Sequence, residues 1–414
     1  MRDVRMKGFR ERTGVEAALA MLEQRTGALD AESIPITEAA DRVAAADVIA
    51  AVDVPHFARA AMDGYAVDGE STFGATAHAP VELRVRGASA PGRPFPGRVG
   101  RLEAVRIATG APLPAGCDAV LMAEHAEEEE RDGAVWVRVS EAVAPLKNVG
   151  DVGEDVRRGT TVVARGRRLR PQDLAVLSGV GAAAVDVVRR PRVRILVTGD
   201  ELLPPGTTPS GAFIADANSP MLAALCRRDG AGDVSRVHVP DRRERVRDAV
   251  AETTEHVLLV SGGTSVGPED HAPGVLAEIG EIAVHGVAMR PASPAGFGFF
   301  GTGRRQIAFL LPGNPVSCLC AYEFFAGPTI RALGGRPRAW PHRRRRCRVA
   351  SKIVSPLGRT DYVRVTVRGD DVTPIMVSGS SIISSTTRAD GVVIVESGDE
   401  GHREGEWVEV LFYD

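Results

Sequence analysis

Apolar positions first recur at helical spacing in Val15, Leu19 and Leu22, one face of a helix whose start, Thr13-Gly-Val-Glu16, reads as a capping box. A second short helical stretch is expected over Glu38 to Val43. From about Ala79 to Val143 the texture changes to short alternating runs broken by Gly and Pro: Val81 to Val85, Glu103 to Ile107, Ala119 to Met122 and Val135 to Val139. That pattern predicts a β-rich insert. The acidic run Glu127 to Glu130, ahead of Arg131-Asp-Gly133, reads as a solvated hairpin tip. Leu169 to Leu177 reads as a helix entered at Pro171 and closed by Gly179 and Gly181.

Between Arg192 and Gly335 strands and helices alternate. Val193 to Val197, Val234 to Val239, Val257 to Val260 and Ile307 to Leu311 are strand-like. Asn218-Ser-Pro220 is expected to cap a helix over Met221 to Arg228 that Gly230 closes, and a charged helix starts at Asp241. Asn314-Pro315 opens a long helix that Pro328 kinks or ends. The alternation predicts a parallel, doubly wound α/β sheet. Arg336 to Pro341 reads as a linker, and the basic run Arg343 to Arg346 as its solvated continuation. After it come short strands at Cys347 to Val349, Tyr362 to Val367, Val392 to Glu396 and Trp407 to Phe412, a small β-barrel or sandwich. No internal repeat is visible.

Composition narrows the class. A chain of 414 residues is long enough for about three domains. Lys+Arg 51 against Asp+Glu 54 gives a net charge of -3, which excludes a globally basic nucleic-acid binder while leaving local anion sites open. Aromatics at 5% argue against stacking platforms for single strands. No apolar run approaches bilayer length, so no membrane partner is expected. Met1 to Arg12 is charged throughout with no apolar region, so a secretory signal is not expected. The five Cys (117, 226, 318, 320, 347) show no CxxC spacing, which points to a reduced, cytoplasmic protein without a disulfide framework or Cys-rich zinc site. The nine His form no HExxH-like pair.

Three loops each follow an apolar strand of the α/β sheet: Thr198-Gly-Asp-Glu201, Ser261-Gly-Gly-Thr-Ser-Val-Gly267 and Pro312-Gly-Asn-Pro-Val-Ser317. Ligands of open α/β sheets bind beyond the carboxyl ends of the strands. Gly lets the backbone approach and cradle an anion, hydroxyls add donors, and a helix opening at Pro315 turns its positive end to the rim. One such loop is a turn; three on one edge predict a phosphate or other oxyanion ligand. The same rim carries Asp200, Glu201, Asp241 and Asp270. Carboxylates facing a phosphate need a cation between them, and Mg²⁺ fits that need. Asp241 could equally be a plain N-cap, with Glu244 three residues on, and Glu201 and Asp270 surface acids. Asp63-Gly64 and Thr109-Gly110, upstream, are turns when taken singly.

Together the segments Asp53-Val-Pro with Phe57, Ala61 to Val67, Ile107 to Pro112, Gly153-Glu-Asp155, Thr198 to Leu202, Ser261 to Gly267 with Asp270, and Pro312 to Ser317 give a chain that resembles the molybdopterin molybdenumtransferase family. This family comprises the MoeA proteins and the E domain of gephyrin-type fusions, and the resemblance covers essentially the whole chain. It implies an elongated homodimer of four-domain subunits. An N-terminal linker or dimerisation domain would span 1–55 and 150–185, with a β domain inserted at 56–149. A MogA-like, molybdopterin-binding α/β domain would follow at 190–335 and a C-terminal β domain at 342–414.

The family inserts molybdate into adenylylated molybdopterin with Mg²⁺ and releases AMP. Its cleft lies between the α/β domain of one subunit and the N-terminal domains of the other. By resemblance Asp63, Thr109, Glu201, Asp241 and Asp270 would be catalytic, the last three serving the metal. Thr198, Gly199, Asp200, Ser261, Gly262, Gly263, Thr264, Ser265, Gly267, Pro312, Gly313, Asn314, Pro315 and Ser317 would hold the nucleotide and pterin. Where the family usually carries two lysines in Lys-Pro-Gly-Lys-Pro, this chain reads Arg290-Pro-Ala-Ser-Pro294. Arg290 keeps a charge as a planar fork and Ser293 has none. Arg364 and Ser380 match the remaining molybdate contacts. Other molybdenum cofactor enzymes are the further partners implied. Two other readings stay open: a non-catalytic, molybdopterin-binding carrier or scaffold, and the adenylyltransferase step of related single α/β domains.

Overall fold

The structure, a computed structural model, describes residues 12–265, 267, 270–375 and 381–413. Residues 1–11, on which the reading of the N-terminus rests, lie outside the described residues. The chain divides into two compact units, one of Met1–Glu32 with Val187–Asp414 and one of Ser33–Asp186.

In the first unit the N-terminal helix α1 (Val15–Arg25) precedes the α/β domain. There β1 (Arg192–Thr198), α2 (Asn218–Arg228), β2 (Asp233–Val239), α3 (Arg243–Ala251), β3 (Val257–Ser261), α4 (His271–Ile279), β4 (Glu281–His285), β5 (Gly296–Phe300), β6 (Gln306–Leu311), α5 (Pro315–Ala321) and α6 (Gly327–Leu333) follow in order. The strands line up as β2-β1-β3-β6-β5-β4. The first four are parallel, with Val193 level with Val234 and Val257, and Val257 level with Ile307.

The doubly wound expectation is met through strict alternation of side chains. Ile195, Val197, Leu259 and Phe309 point to one face with Leu222, Cys226, Phe325 and Ile330. Leu196, Leu258, Val260 and Leu310 point to the other with Val246, Val250, Val275 and Leu276. A strand buried on both faces must be apolar throughout, which is why these runs lack polar breaks. Each fully buried side chain of this kind contributes about 1.5–3 kcal/mol.

Two features depart from the expectation for this domain. The edge strands β4 and β5 are antiparallel to each other, and β5 is antiparallel to β6. Only residues 286–295 join β4 to β5, too few for the crossover that parallel pairing needs. Helix α1 packs Val15, Ala18 and Leu22 into the α/β core. Its capping box does not form: Thr13 is engaged as a β-bridge to Val287, and Gly14 takes the N-cap position without a side-chain bond.

Pro328 does not end the C-terminal helix. Between α5 and α6 the backbone runs through a π-turn at Tyr322–Ala326, and this wider hydrogen-bond register places Pro328 in the first turn of α6, where its missing N–H is tolerated.

The C-terminal domain is a closed barrel. Strand Thr360–Arg368 pairs with both Asp371–Pro374 and Gly391–Val395, and Arg343–Val349 and Trp407–Phe412 complete the circuit. Cys347, Val365, Val372, Val393 and Val410 fill it. The basic run belongs to the first strand and is not a linker. The guanidinium groups of Arg343 and Arg345 lie 4.9 and 5.2 Å from the Phe412 ring centroid, and Arg344 pairs with Glu409 at 3.2 Å. Arginine stems cover apolar surface while their charged heads stay in water, so four in a row are compatible with a strand.

The second unit holds a six-stranded sheet in the order Ala119–Met122, Gly64–Val67, Glu103–Ile107, Val81–Ser89, Ala134–Val139, Ala126–Arg131. The acidic run is its edge strand, and the tip is Asp132-Gly133, both at positive φ (54° and 70°). Glu128 accepts from Tyr65 at 2.9 Å and Arg106 at 2.8 Å, and a charged edge blocks further strand pairing. The helix expected over 38–43 shrinks to a 3-10 turn at Ile36–Glu38, because Val43 bridges to Arg168 instead. The helix entered at Pro171 forms as Pro171–Gly179, capped by Asp173, which accepts the Arg170 N–H at 2.9 Å.

Candidate functional site

The loops after β1, β3 and β6 converge at the carboxyl edge of the sheet around a cavity of about 650 Å³. Thr198, Gly199 and Glu201 line it from the first loop, Ser261 to Ser265 from the second, and Pro312 to Pro315 from the third. Asp241 and Asp270 complete the acidic part of its wall. Three segments separated by scores of residues therefore share one mouth, as parallel pairing of β1, β3 and β6 requires.

Gly262 makes this approach possible. Its φ is 92°, and a Cβ there would stand 2.5 Å from the Thr198 carbonyl oxygen. No other residue type could hold the second loop so close to the first. The Thr264 hydroxyl donates to Leu311 O at 3.0 Å, tying the second loop to the third. The His285 ring meets Thr264 O at 2.9 Å, and burial holds its pKa below the ordinary imidazole value. The neutral ring donates to that carbonyl.

The acids are arranged differently from one another. Asp200 and Asp241 exchange backbone–carboxylate bonds at 3.3 and 3.2 Å, which joins the loops after β1 and β2. Arg242, not Asp241, occupies the N-cap of α3, and no side chain caps it, so the plain capping role for Asp241 is not observed. Asp270 precedes α4 and accepts the Gly267 N–H at 2.5 Å. Among the described residues no three His, Cys, Asp or Glu side chains gather closely enough to hold a metal ion unaided.

Two residues shape the cavity: Asn218, expected as a helix cap, and Asp216, not singled out in the sequence. Asp216 caps α2 in place of Asn218, accepting from Asn218 N at 3.1 Å and Ser219 N at 2.9 Å, and it pairs with Arg236 at 2.8 Å. Burial alone would raise its pKa, but the bonds from Ser219 and Arg236 outweigh that and hold it below the ordinary value. This frees the Asn218 amide. Its Nδ2 donates to Ser261 Oγ at 2.9 Å and to Gly313 O at 2.7 Å, bridging the loops after β3 and β6. Asp216 and Asn218 both line the cavity. The one signal available was an Asp two residues ahead of an Asn before a helix, which looks the same whichever of the two caps it.

Several expected contacts lie off this cavity. Asp200 and Gly267 do not line it, and Ser317 is buried within α5. The Arg290 guanidinium is engaged by Asp361 of the barrel, with Nε to Oδ1 at 2.7 Å and a second bond from Nη2 to Oδ2, so its charge is already neutralised. Ser293 Oγ is enclosed without a partner, and only the neighbouring Pro294 reaches the cavity. Arg364 is buried in the barrel, donating to Ser385 Oγ, and burial lowers its pKa. Ser380 lies outside the described residues. In the second unit Asp63 and Thr109 do meet: the Thr109 N–H and hydroxyl donate to Asp63 Oδ1 at 2.7 and 2.8 Å. These bonds hold the Asp63 carboxyl below the usual carboxylate range.

Comparison with known proteins places these features in a family. Residues 13–181 match the MoeA N-terminal region (domain I and II), 194–332 a probable molybdopterin binding domain, and 346–413 the MoeA C-terminal region (domain IV). The molybdopterin molybdenumtransferase of Haemophilus influenzae is 31% identical over 95% of this chain and 97% of its own. The chain belongs to the molybdopterin molybdenumtransferase (MoeA) family. Molybdopterin molybdenumtransferase 2 of Mycobacterium tuberculosis is 35% identical over 80% of this chain and 82% of its own. Two crystal structures of the molybdopterin biosynthesis MoeA protein from Pyrococcus horikoshii match with TM-scores of 0.83 and 0.75 at 32% and 28% identity. They cover 98% and 97% of this chain and 100% of each MoeA chain.

Proposed function

We propose that the chain inserts molybdate into adenylylated molybdopterin with release of AMP, in molybdenum cofactor biosynthesis. The observation that carries this reading is the cavity at the sheet's carboxyl edge. It combines a glycine-formed loop, hydroxyl and amide donors, and four carboxylates, those of Glu201, Asp216, Asp241 and Asp270, in the segment matching a molybdopterin binding domain. Relatives named molybdopterin molybdenumtransferase, aligned along most of the chain, supply the reaction.

The donor set of this wall suits a magnesium ion shared with substrate. Glu201, Asp241 and Asp270 line one cavity but do not close into a protein-only cage, and Mg²⁺ is usually held by one or two carboxylates plus phosphate oxygens. These three residues would hold it, and when bound it would neutralise charge on the phosphoanhydride being broken. The protein's own part is positioning. Asp270, fixed by the Gly267 N–H, and Asp241, fixed by Asp200, present oxygens from two different loops. The Ser261 to Ser265 loop brings backbone and hydroxyl groups against the ligand. Asp63, kept ionised by Thr109, is a candidate to orient a water or a molybdate oxygen. A homodimer working in a reducing, cytoplasmic compartment is part of the same reading, and its five free thiols agree with it.

The test is to incubate the purified chain with adenylylated molybdopterin, Mg²⁺ and molybdate. AMP release that depends on molybdate is expected, and none at any molybdate concentration would defeat the proposal. The engagement of Arg290 by Asp361 and the neutrality of Ser293 favour a second reading, a molybdopterin-binding carrier without transferase activity. Ser293→Lys separates the two. Activity gained from an inactive wild type identifies a weakened enzyme, and none identifies a carrier.

A further inference from the structure

The chain leaves β1 at Thr198 and enters α2 at Asn218, and the long loop between them carries Glu201. Its ends are tied to each other: Ile214 N donates to Glu201 O and Asp216 N to Leu203 O, both at 3.0 Å. Residues 204–213, between those ties, are exposed. Each end is also held from outside, by the edge strand β2. Val234 packs against the core on the side of Leu222 and Cys226, so strand alternation puts Arg236 and His238 on that same side, level with Ile195 and Val197 of β1. His238 Nε2 lies 2.9 Å from Gly199 O. A carbonyl oxygen only accepts, so Nε2 carries the hydrogen, and the ring donates whether neutral or protonated. Gly199 O also accepts Leu202 N at 3.2 Å, closing the turn that contains Asp200 and Glu201. The Glu201 carboxylate lies over this turn: a Cβ at Gly199, whose φ is 146°, would stand 2.8 Å from Glu201 Oε2. At the other end Arg236 donates to Asp216 Oδ2 from Nε at 3.1 Å and from Nη2 at 2.8 Å, and from Nε to Ser219 Oγ at 2.8 Å.

We infer that Arg236 and His238 are positioning residues: from one edge strand they fix the two ends of the loop that presents the Glu201 carboxylate to the cavity. This rests on the proposed reading of the cavity and deepens it. Glu201 is exposed, and its carboxylate makes no hydrogen bond or ion pair among the described residues, so the backbone beneath it sets where it points. That backbone is the Gly199 to Leu202 turn, held by His238, and the Ile214 to Asp216 return, held by Arg236. Arg236 and His238 are both exposed on β2, where a hydrogen bond replaces one to water and adds little to stability. What these bonds set is place. A displacement of about 1 Å, even from a change remote from the reacting atoms, can cost on the order of a hundredfold in rate.

The test uses the full chain and two readouts, amide hydrogen exchange without ligand and molybdate-dependent AMP release from adenylylated molybdopterin. His238→Ala is expected to quicken exchange of the Leu202 amide about fivefold or more, and Arg236→Ala that of the Ile214 and Asp216 amides. In His238→Ala kcat should fall about tenfold, with KM for adenylylated molybdopterin within about threefold and the urea midpoint unchanged. His238→Gln keeps an N–H donor of similar reach and is expected to restore both exchange and rate. Because His238 acts through Glu201, the double variant of His238→Ala with Glu201→Gln should lose no more activity than Glu201→Gln alone. A merely structural role predicts losses that multiply. Unchanged exchange at Leu202 in His238→Ala, multiplying losses, or His238→Gln behaving no better than His238→Ala would each overturn the inference. Should Arg236→Ala fail to fold, the His238 variants decide. Wild-type protein that releases no AMP would instead overturn the transferase reading, and the exchange rates would still decide whether β2 holds the Glu201 loop.

Discussion

The two ends of helix α2 carry buried polar groups to opposite purposes. At its start, Asn218 Oδ1 and the facing Thr198 Oγ1 are enclosed without partners. At its end, Asp229 accepts from Arg331 at 2.7 Å, from the Tyr322 hydroxyl at 3.0 Å and from Arg228 at 2.9 Å, and Arg228 also pairs with Glu323 at 2.7 Å. Glu323 and Asp229 are both 1% exposed. Both ends are deeply buried; what differs is that the acids at the far end are charge-paired with Arg228 and Arg331. The charge-paired end fixes α2 against the π-turn and α6, and the other end lies at the cavity.

The largest effect is expected where the charge-paired end is broken. Asp229→Ala leaves Arg331, Tyr322 and part of Arg228 without their acceptor, and should cost about 3–5 kcal/mol of stability, read as a fall in the urea midpoint. Removing an acid from the open end should do the opposite. Glu201→Gln should lower AMP release on the order of a hundredfold while leaving the urea midpoint unchanged, since no partner loses a bond in the folded protein. An equal fall in stability for both variants would erase the contrast.

A pH series sharpens the same comparison. Burial would push the Glu323 carboxyl up, but the His342 ring and the Arg228 guanidinium outweigh that and hold it at about 2. A depressed carboxyl pKa contributes stability that is fully present above the unfolded value, about 4.3, and is lost as pH falls toward 2. The urea midpoint should therefore drop between pH 5 and pH 2–3, and the drop should be smaller in Glu323→Gln. In the second unit, Thr109→Val removes the hydroxyl bond that helps to hold Asp63 down. The Asp63 carboxyl should then titrate at higher pH by NMR, with AMP release reduced about tenfold if Asp63 acts as proposed. The smallest effect is expected at the barrel surface. Arg344→Ala breaks an exposed pair with Glu409 and should change stability by less than about 0.5 kcal/mol.

Much of this arrangement could be read from the sequence. The apolar runs at Val193, Val257 and Ile307 announce strands buried on both faces, and a glycine-rich or Asn-Pro loop after each announces a rim. Thr198, Ser261 to Ser265, Pro312 to Pro315, Glu201, Asp241 and Asp270 do line one cavity. The misses share a physical cause: local chemistry that tertiary contacts reassign. Asn218 has the right residue type to cap a helix, but Asp216 takes that role through bonds to Ser219 and Arg236, the latter from β2. Arg290 looks like a free cation until the barrel brings Asp361 to it. Thr13 could cap α1, yet it is engaged in a bridge to Val287. Arg343 to Arg346 are exposed, as their charge suggests, but they form a strand rather than a linker, because charge patterning is blind to the Phe412 ring under the arginine stems. Asp216 apart, the deciding partner is distant in the chain and unmarked by any local pattern.

The most direct measurement is a crystal structure of the chain soaked with adenylylated molybdopterin. The account predicts ligand density at the carboxyl edge of the α/β sheet, touching Gly263, Asn314 and Thr198. Density elsewhere on the molecule, with the cavity holding only solvent, would contradict it.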